Sequence, residues 1–273
     1  MSNYKTVFFT LGILQIILGV FMLIPIIVQF FYNEIDSSFF GASIVTIIFG
    51  TLFYLSNLDH EKKLNLQQAF LLTALSWISI AIFGALPFVF SSFEFSFINA
   101  FFESMSGITT TGSTIISDLE NMPKGILLWR AILQWLGGIG IIVMAIAILP
   151  MLSIGGMQLF KTESYETPDK IIPRAAIFAS GISIVYIILT SLWALMLWLA
   201  GMPIFDSITH AMTTLATGGY STKSESLGAF NSVNIEIIIV FGMIVGSLPF
   251  IHYLSILKNG WKNLINDQQV KWF

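Results

Sequence analysis

The chain has 273 residues, of which 56% are hydrophobic and only 10% are charged, and its formal net charge is −3. Because a soluble domain carries about a quarter charged residues, this composition excludes an ordinary soluble enzyme. Because the net charge is slightly negative, the composition does not indicate a basic surface, and we expect no nucleic-acid partner. The chain contains no cysteine, which excludes disulfides and thiolate metal sites.

Six stretches without charged residues follow one another along the chain. Each is long enough to cross a bilayer as a helix, which takes roughly 20 apolar residues. The first is too long for a cleaved signal peptide, so we expect it to remain as a helix. The sequence therefore predicts an all-α polytopic membrane protein. The stretches are 6–33, 37–58, 64–93, 131–160, 175–205 and 237–257.

The basic residues are divided unevenly between the loops. If successive loops alternate between the two sides, nine basic residues lie on the side of both termini and three on the other. Cytoplasmic loops carry the excess of lysine and arginine, so this pattern predicts that both termini are cytoplasmic. The nine are Lys5, Lys62, Lys63, Lys161, Lys170, Arg174, Lys258, Lys262 and Lys271; the three are Lys124, Arg130 and Lys223.

Two connections on the outer side contain apolar segments that are too short to cross, at 97–108 and 204–215. Each would form about three helical turns, half the thickness of a bilayer. Threonine and glycine follow at once, as TTTG at 109–112 and as ATGG at 216–219. The two copies align without gaps. The sequence thus predicts two span–pore helix–span repeats.

A half-helix that enters from outside points its C-terminal end inward, and that end carries about half a negative charge, which favours a cation. Glycine lets the following loop turn its carbonyl oxygens toward a pore, where they can replace the hydration shell of K⁺. The alternative is an interfacial helix followed by a plain turn, but the repetition favours a re-entrant cation filter. The candidate ion-binding carbonyls belong to Thr110, Thr111, Gly112, Thr217, Gly218 and Gly219.

Three charged residues are candidates for supporting the pore helices: Glu103 and Asp206 on the half-helices, and Arg130 at the outer start of a span. A buried arginine in a membrane is costly, so Arg130 either pairs with Glu103 or extends to the interface. We interpret Glu103 as an anchor rather than as an attractor of cations. His210 follows Asp206 by four residues, which predicts a hydrogen bond along the helix face.

Three stretches carry a family resemblance: FFESMSGITTTGST at 101–114, LLWRAILQWLGGIGIIVMAIAILPML at 127–152 and FDSITHAMTTLATGGYST at 205–222. They resemble the membrane subunits of the Trk/Ktr/HKT superfamily of potassium transporters, most of all the bacterial Trk type. The resemblance implies potassium uptake across a bacterial inner membrane, with K⁺ as the transported ion and no cofactor. An enzyme is disfavoured, since the sequence shows no Ser–His–Asp set and no His–Glu metal motif in a span.

The resemblance also implies a two-helix N-terminal element followed by four span–pore–span repeats. On this basis 1–58 is the N-terminal element, 59–158 is the first repeat and 159–273 is the second, while NDQQVKWF at 266–273 resembles the lead into a third. The chain would then be the N-terminal part of a transporter, completed by a missing C-terminal half. The other implied partners are a second copy in a homodimer, a cytosolic nucleotide-binding regulatory subunit and the lipid bilayer.

Two further functions stay open. A filter with a single layer of glycines coordinates the ion with fewer carbonyls than a stack of carbonyl layers does. A weakly selective pathway for K⁺ and Na⁺ is therefore one alternative. A non-conducting half-subunit that acts only in assembly is the other.

Overall fold

The computed structural model describes residues 4–34, 36–59, 65–93, 95–152, 171–250, 252–254 and 268–272, with side chains except at 141–152, 171–178 and 268–269. The regular structure in these ranges is helical. The helices are α1 (Lys5–Phe21), α2 (Leu23–Phe31), α3 (Ser38–Ser56), α4 (Leu66–Gly84), α5 (Leu86–Phe90), α6 (Phe97–Ile108), α7 (Lys124–Leu152), α8 (Ile171–Leu199), α9 (Ile204–Leu215), the 3-10 helix Ser226–Phe230, α10 (Val233–Ser247) and α11 (Gln268–Trp272).

Four helical stretches are long and apolar enough to cross a membrane. They lie in the first, second, third and fifth of the predicted runs. The fourth run is occupied by α7, which begins at Lys124, ahead of the charge-free stretch; residues 153–160 of this run lie outside the described residues. The predicted all-α architecture is confirmed. The four stretches are Lys5–Phe31, Ser38–Ser56, Leu66–Phe90 and Ala179–Leu199.

The sixth predicted span differs from the structure. Helix α10 has only 15 residues and ends at Ser247, well before the end of the charge-free run. Leu248 is extended, with φ −73° and ψ 144°. It precedes Pro249, and a proline disfavours the helical conformation of the residue before it. The apolar composition of this run continues past the proline, which is why composition alone predicted one continuous span.

Two other prolines also lie where helices are interrupted. Pro25 lies in the first turn of α2, three residues after the break between α1 and α2 at Met22. Proline has no N–H to offer the carbonyl of Phe21, and its ring displaces that carbonyl. Pro87 lies in the first turn of α5, directly after the break at Ala85.

The chain forms two compact units, which are described separately. Unit 1 comprises Met1–Gly137 and Gly218–Ala229, and unit 2 comprises Gly138–Thr217 and Phe230–Phe273. Unit 1 therefore contains α1 to α6, the first part of α7 and the loop that follows Thr217. The predicted boundaries at 58/59 and 158/159 stay predictions.

In unit 1, the N-terminal helices α1 and α3 pack at very close range. A Cβ built on Gly12 would stand only 2.7 Å from the carbonyl oxygen of Gly50. Further along the same pair, the Ser43 hydroxyl donates to the Gly19 carbonyl at 2.7 Å. Small residues and hydroxyl hydrogen bonds of this kind are the usual means of joining helices in a membrane.

The N-terminal helices are also joined to the start of α7. The Glu34 carboxylate accepts the backbone N–H of Lys124 at 3.0 Å and that of Gly125 at 3.4 Å. A carboxylate at this position accepts hydrogen bonds from the free N–H groups of the first turn, and its negative charge interacts favourably with the positive end of the helix dipole. Glu34 thus fixes where α7 begins, and α7 in turn carries the side chains that hold the site.

The two half-helices have the predicted bounds. Helix α6 runs from Phe97 to Ile108 and α9 from Ile204 to Leu215, and each has 12 residues. At a rise of about 1.5 Å per residue, each is about 18 Å long, which is too short to cross a bilayer.

Candidate functional site

Helix α6 ends in a Schellman motif, in which the chain reverses through a residue with positive φ. The Thr110 N–H donates to the Gly107 carbonyl at 3.0 Å, and the Thr111 N–H donates to the Ser106 carbonyl at 2.9 Å. The reversing residue is usually glycine, but here it is Thr110, with φ 55°. Positive φ is rare for a β-branched residue and costs on the order of 1–3 kcal/mol.

Helix α9 also ends at a threonine with positive φ. Thr217 has φ 54°, and its N–H donates to the Thr214 carbonyl at 3.0 Å. The next positive φ falls on glycine in both copies, with 79° at Gly112 and 79° at Gly219. Thr110 and Thr217 are separated by the same number of residues as Gly112 and Gly219. The alignment of the two copies made from sequence is therefore reproduced in the backbone.

The two loops meet in unit 1. A Cβ built on Gly112 would collide with the carbonyl oxygen of Gly218. Gly112 is thus required twice over, because its φ is positive and because the neighbouring loop leaves no space for a side chain. Thr217 belongs to unit 2, whereas Gly218 belongs to unit 1 together with Gly112.

Of the two alternatives for Arg130, pairing with Glu103 is the one that the structure shows. Arg130 Nε donates to Glu103 Oε1 at 2.7 Å, and the two side chains are 1% and 0% exposed. The carboxylate also accepts the Thr114 hydroxyl at 2.8 Å and the Ile115 N–H at 3.0 Å. Glu103 is therefore bonded to the chain where it leaves the first loop, while its support of the pore helix stays a prediction.

Arg130 also reaches the second loop. Its Nη1 donates to the Ser221 carbonyl at 2.9 Å, and its guanidinium carbon lies 4.1 Å from the centre of the Tyr220 ring. The Tyr220 hydroxyl donates to the Glu103 carbonyl at 3.0 Å and is 3.1 Å from the Ser113 carbonyl. One buried cluster thus holds the exits of both loops.

Gln134 lies four residues after Arg130 on α7 and is fully buried. Its Oε1 accepts the Tyr220 N–H at 3.0 Å. Neither Gln134 nor Tyr220 was predicted from sequence as a site residue. A polar residue four positions after an arginine in an otherwise apolar span is a signal that could have identified Gln134, because the two share a helix face.

In unit 2, Asp206 lies in the first turn of α9 and is buried, a favourable place for a negative charge. The predicted hydrogen bond along the helix face is present, but His210 Nδ1 bonds to the backbone carbonyl of Asp206, at 2.8 Å. The imidazole lies edge-on to the Phe230 ring, with centroids 5.4 Å apart. These contacts give His210 a structural role.

The outer ends of the two loop regions in unit 1 are hydrogen-bonded to each other. The Ser224 N–H donates to Glu120 Oε1 at 2.9 Å, and the Ser224 hydroxyl donates to Glu120 Oε2. These bonds hold the pKa of the Glu120 carboxyl below its ordinary value of 4.5. The same hydroxyl accepts the Leu119 N–H at 3.2 Å.

Comparison with known proteins gives one consistent picture. The TrkH family model, described as a cation transport protein, matches residues 35–272. The Trk system potassium uptake protein TrkI of Halomonas elongata is 43% identical over 96% of this chain and 54% of its own length. The protein TrkH of Salmonella typhimurium is 38% identical over 99% of this chain and 57% of its own length.

A solved structure is similar as well. The crystal structure of the potassium transporter TrkH from Vibrio parahaemolyticus matches with a TM-score of 0.89 and 34% identity, over 99% of this chain and 56% of that chain. The chain thus spans about half the length of the curated relatives that it matches.

Replacing Arg130 by methionine should destabilise the protein strongly, because it leaves the Glu103 carboxylate buried without its partner. Breaking a buried ion pair from one side costs about 3–5 kcal/mol. The double variant Glu103→Gln/Arg130→Met should recover much of that loss, since no buried charge remains. Unfolding of the purified protein in detergent measures the four corners of this cycle.

Lys223→Met is the matched control, since it removes a basic side chain of the same unit that is not fully buried. We expect little change in stability. If the two single substitutions at Glu103 and Arg130 are mild and additive, the pair does not hold the loops.

Proposed function

This chain belongs to the TrkH family of cation transport proteins, and on that premise we propose that its two Thr/Gly loops line part of a potassium uptake pathway. The observation that carries the proposal is the repeated backbone geometry, in which each half-helix ends in a strained threonine followed by a glycine of positive φ. Strain of this kind persists where the surrounding structure enforces it, and it clusters at functional sites.

The geometry suits a cation more than an anion. Each loop follows the C-terminal end of a half-helix, where the helix dipole favours positive charge. The sign of φ alternates over Thr110–Gly112 and over Thr217–Gly219. In an extended chain successive carbonyls point to opposite sides. When the sign of φ alternates from residue to residue, this opposition is removed, and several carbonyls point to the same side. Such carbonyls can replace the water around K⁺.

Potassium is proposed as the transported ion because the relatives from Halomonas elongata and Salmonella typhimurium are named potassium uptake proteins. Transport that discriminates weakly between K⁺ and Na⁺ is the second candidate, favoured by the single glycine at which each loop turns. The ratio of Rb⁺ to Na⁺ uptake before any substitution separates the two.

Gly112→Ser should lower the ratio of Rb⁺ to Na⁺ uptake, because a side chain there is opposed both by φ and by the Gly218 carbonyl. Gly219→Ser should have a smaller effect, since its φ is positive but no atom lies within 4 Å of a Cβ. The assay uses a chimera in which residues 1–273 replace the matching part of TrkI from Halomonas elongata. Gly228→Ser is the control, because that glycine is surrounded by open space.

Unchanged ion ratios in both Gly112→Ser and Gly219→Ser would contradict the filter assignment. A chimera that takes up Rb⁺ and Na⁺ equally well before any substitution would favour the weakly selective pathway.

We further propose that the rest of the pathway comes from segments beyond those in residues 1–273. Two loops provide part of a ring of carbonyls, and lipid on the open side could not replace a hydration shell. A half-subunit that acts only in assembly is consistent with the same geometry.

Residues 1–273 alone should therefore fail to restore growth at limiting K⁺ in a host without potassium uptake. Co-expression with the remaining part of TrkI from Halomonas elongata should restore growth. Rescue by residues 1–273 alone would contradict the proposal and favour a dimer of this chain that completes a ring of four segments.

We propose the inner membrane as the location, with both termini in the cytoplasm. The proposal rests on the nine basic residues on one side against three on the other, although Lys62, Lys161 and Lys258 are among those that lie outside the described residues. The homodimer and the cytosolic nucleotide-binding regulatory subunit, both implied by the family resemblance, stay predictions.

Cysteine labelling tests this topology without background, because the chain contains no cysteine. Ser117→Cys, in an outer loop, should react with an impermeant maleimide in intact cells, whereas Asp59→Cys should react only after permeabilisation. Labelling of Asp59→Cys in intact cells would reverse the assigned orientation.

A further inference from the structure

Gln134 lies where the two Thr/Gly loops meet in unit 1. Its side chain is 0% exposed, and its Oε1 accepts the Tyr220 N–H at 3.0 Å. A Cβ built on Gly218 would stand 2.7 Å from Gln134 Nε2, and it would overlap Cδ and Oε1. The same Nε2 stands 3.8 Å from the position of a Cβ on Gly112. One carboxamide therefore packs against both loops.

Packing alone does not account for glutamine at this position. Gln134 Nε2 has no acceptor among the residues that the structure describes. A buried donor without an acceptor carries a free-energy penalty, which leucine, with a similar volume, would avoid. The feature that leucine lacks is the oxygen that holds the Tyr220 N–H, so the glutamine is accounted for by its contact with the second loop.

We propose that Gln134 is a positioning residue that sets the spacing of the two loops and, through it, the preference for K⁺ over Na⁺. This inference rests on the proposed function, because it assumes that the loops line the ion pathway. The Gln134 oxygen fixes one backbone N–H directly after Gly219, while the amide plane occupies the space that Gly218 leaves free. Selectivity in a carbonyl filter is attributed either to the size of the cavity or to the number and field strength of the coordinating oxygens. A shift of one loop against the other changes the cavity size and also the set of oxygens that face the ion.

The positioning step is tested first, by hydrogen exchange at the Tyr220 amide in residues 1–273 reconstituted in nanodiscs. Gln134→Leu should speed this exchange about tenfold, the factor that corresponds to losing one hydrogen bond.

Gln15→Leu is the matched control. Gln15 is also 0% exposed, and its amide donates to the Ser79 hydroxyl at 2.7 Å on α4. It belongs to the N-terminal helices and has no contact with the loops among the contacts described. Its loss should leave exchange at Tyr220 unchanged.

The selectivity step is tested in the chimera with TrkI from Halomonas elongata. Gln134→Leu should lower the ratio of Rb⁺ to Na⁺ uptake about tenfold at equal protein level, again the factor for one lost hydrogen bond. Gln15→Leu should keep the ratio within about twofold of the unmodified chimera, a margin below the effect of a lost hydrogen bond.

Three outcomes overturn the inference: unchanged Tyr220 exchange in Gln134→Leu, an equal effect of Gln15→Leu, or an unchanged ion ratio in Gln134→Leu while Gly112→Ser does shift it. The last outcome leaves the proposed function intact. If neither Gly112→Ser nor Gln134→Leu shifts the ratio, the proposed function itself fails.

Discussion

Irregular backbone at membrane depth must find its hydrogen-bond partners inside the protein, since lipid offers none. The loop after α6 meets this demand in unit 1 with groups of the chain itself. Its N–H groups bond to the last turn of the half-helix, the Ser106 hydroxyl donates to the Ser113 carbonyl at 2.6 Å, and Glu103 accepts the Ile115 N–H. The other features of the site follow from the need to provide these partners.

Helix α7 supplies further partners to the loop regions. Within unit 1 it contributes Arg130 to the exits of both loops and Gln134 to the second loop. Its own start is fixed by Glu34, and its Trp129 indole donates to the Gly84 carbonyl of α4 at 2.9 Å. These contacts fix α7 at its N-terminal end and along its length, close to the residues that bond to the loops. A buried ion pair stabilises little compared with apolar packing, so the Glu103–Arg130 pair is better understood as a fixed geometry than as a store of stability.

Much of this structure could be predicted from the sequence because the membrane simplifies it. Charge-free length identified four stretches that are long and apolar enough to cross a membrane, and the two shorter apolar segments matched the bounds of α6 and α9. Charge-free length was less informative where a single backbone conformation decides the outcome, as at Leu248 before Pro249, where the helix stops although the apolar run continues. It was silent on Tyr220 and Gln134, because their role depends on which loop comes to lie beside α7, and that is a property of the fold.

The repeat in the sequence and the compact units of the structure divide the chain differently, and the reason is chemical. The two half-helices align residue by residue, yet Glu103 aligns with His210, which bonds to its own helix. The second copy therefore has no carboxylate at the position from which Glu103 anchors the first loop. The segment after Gly218 instead bonds to Arg130 and Gln134, which belong to the first copy, and it lies in unit 1 with them. The loop of the second copy thus takes hydrogen-bond partners from the first copy, so the two copies are not equivalent. This dependence favours a pathway assembled from specialised segments in a fixed order over one assembled from interchangeable copies.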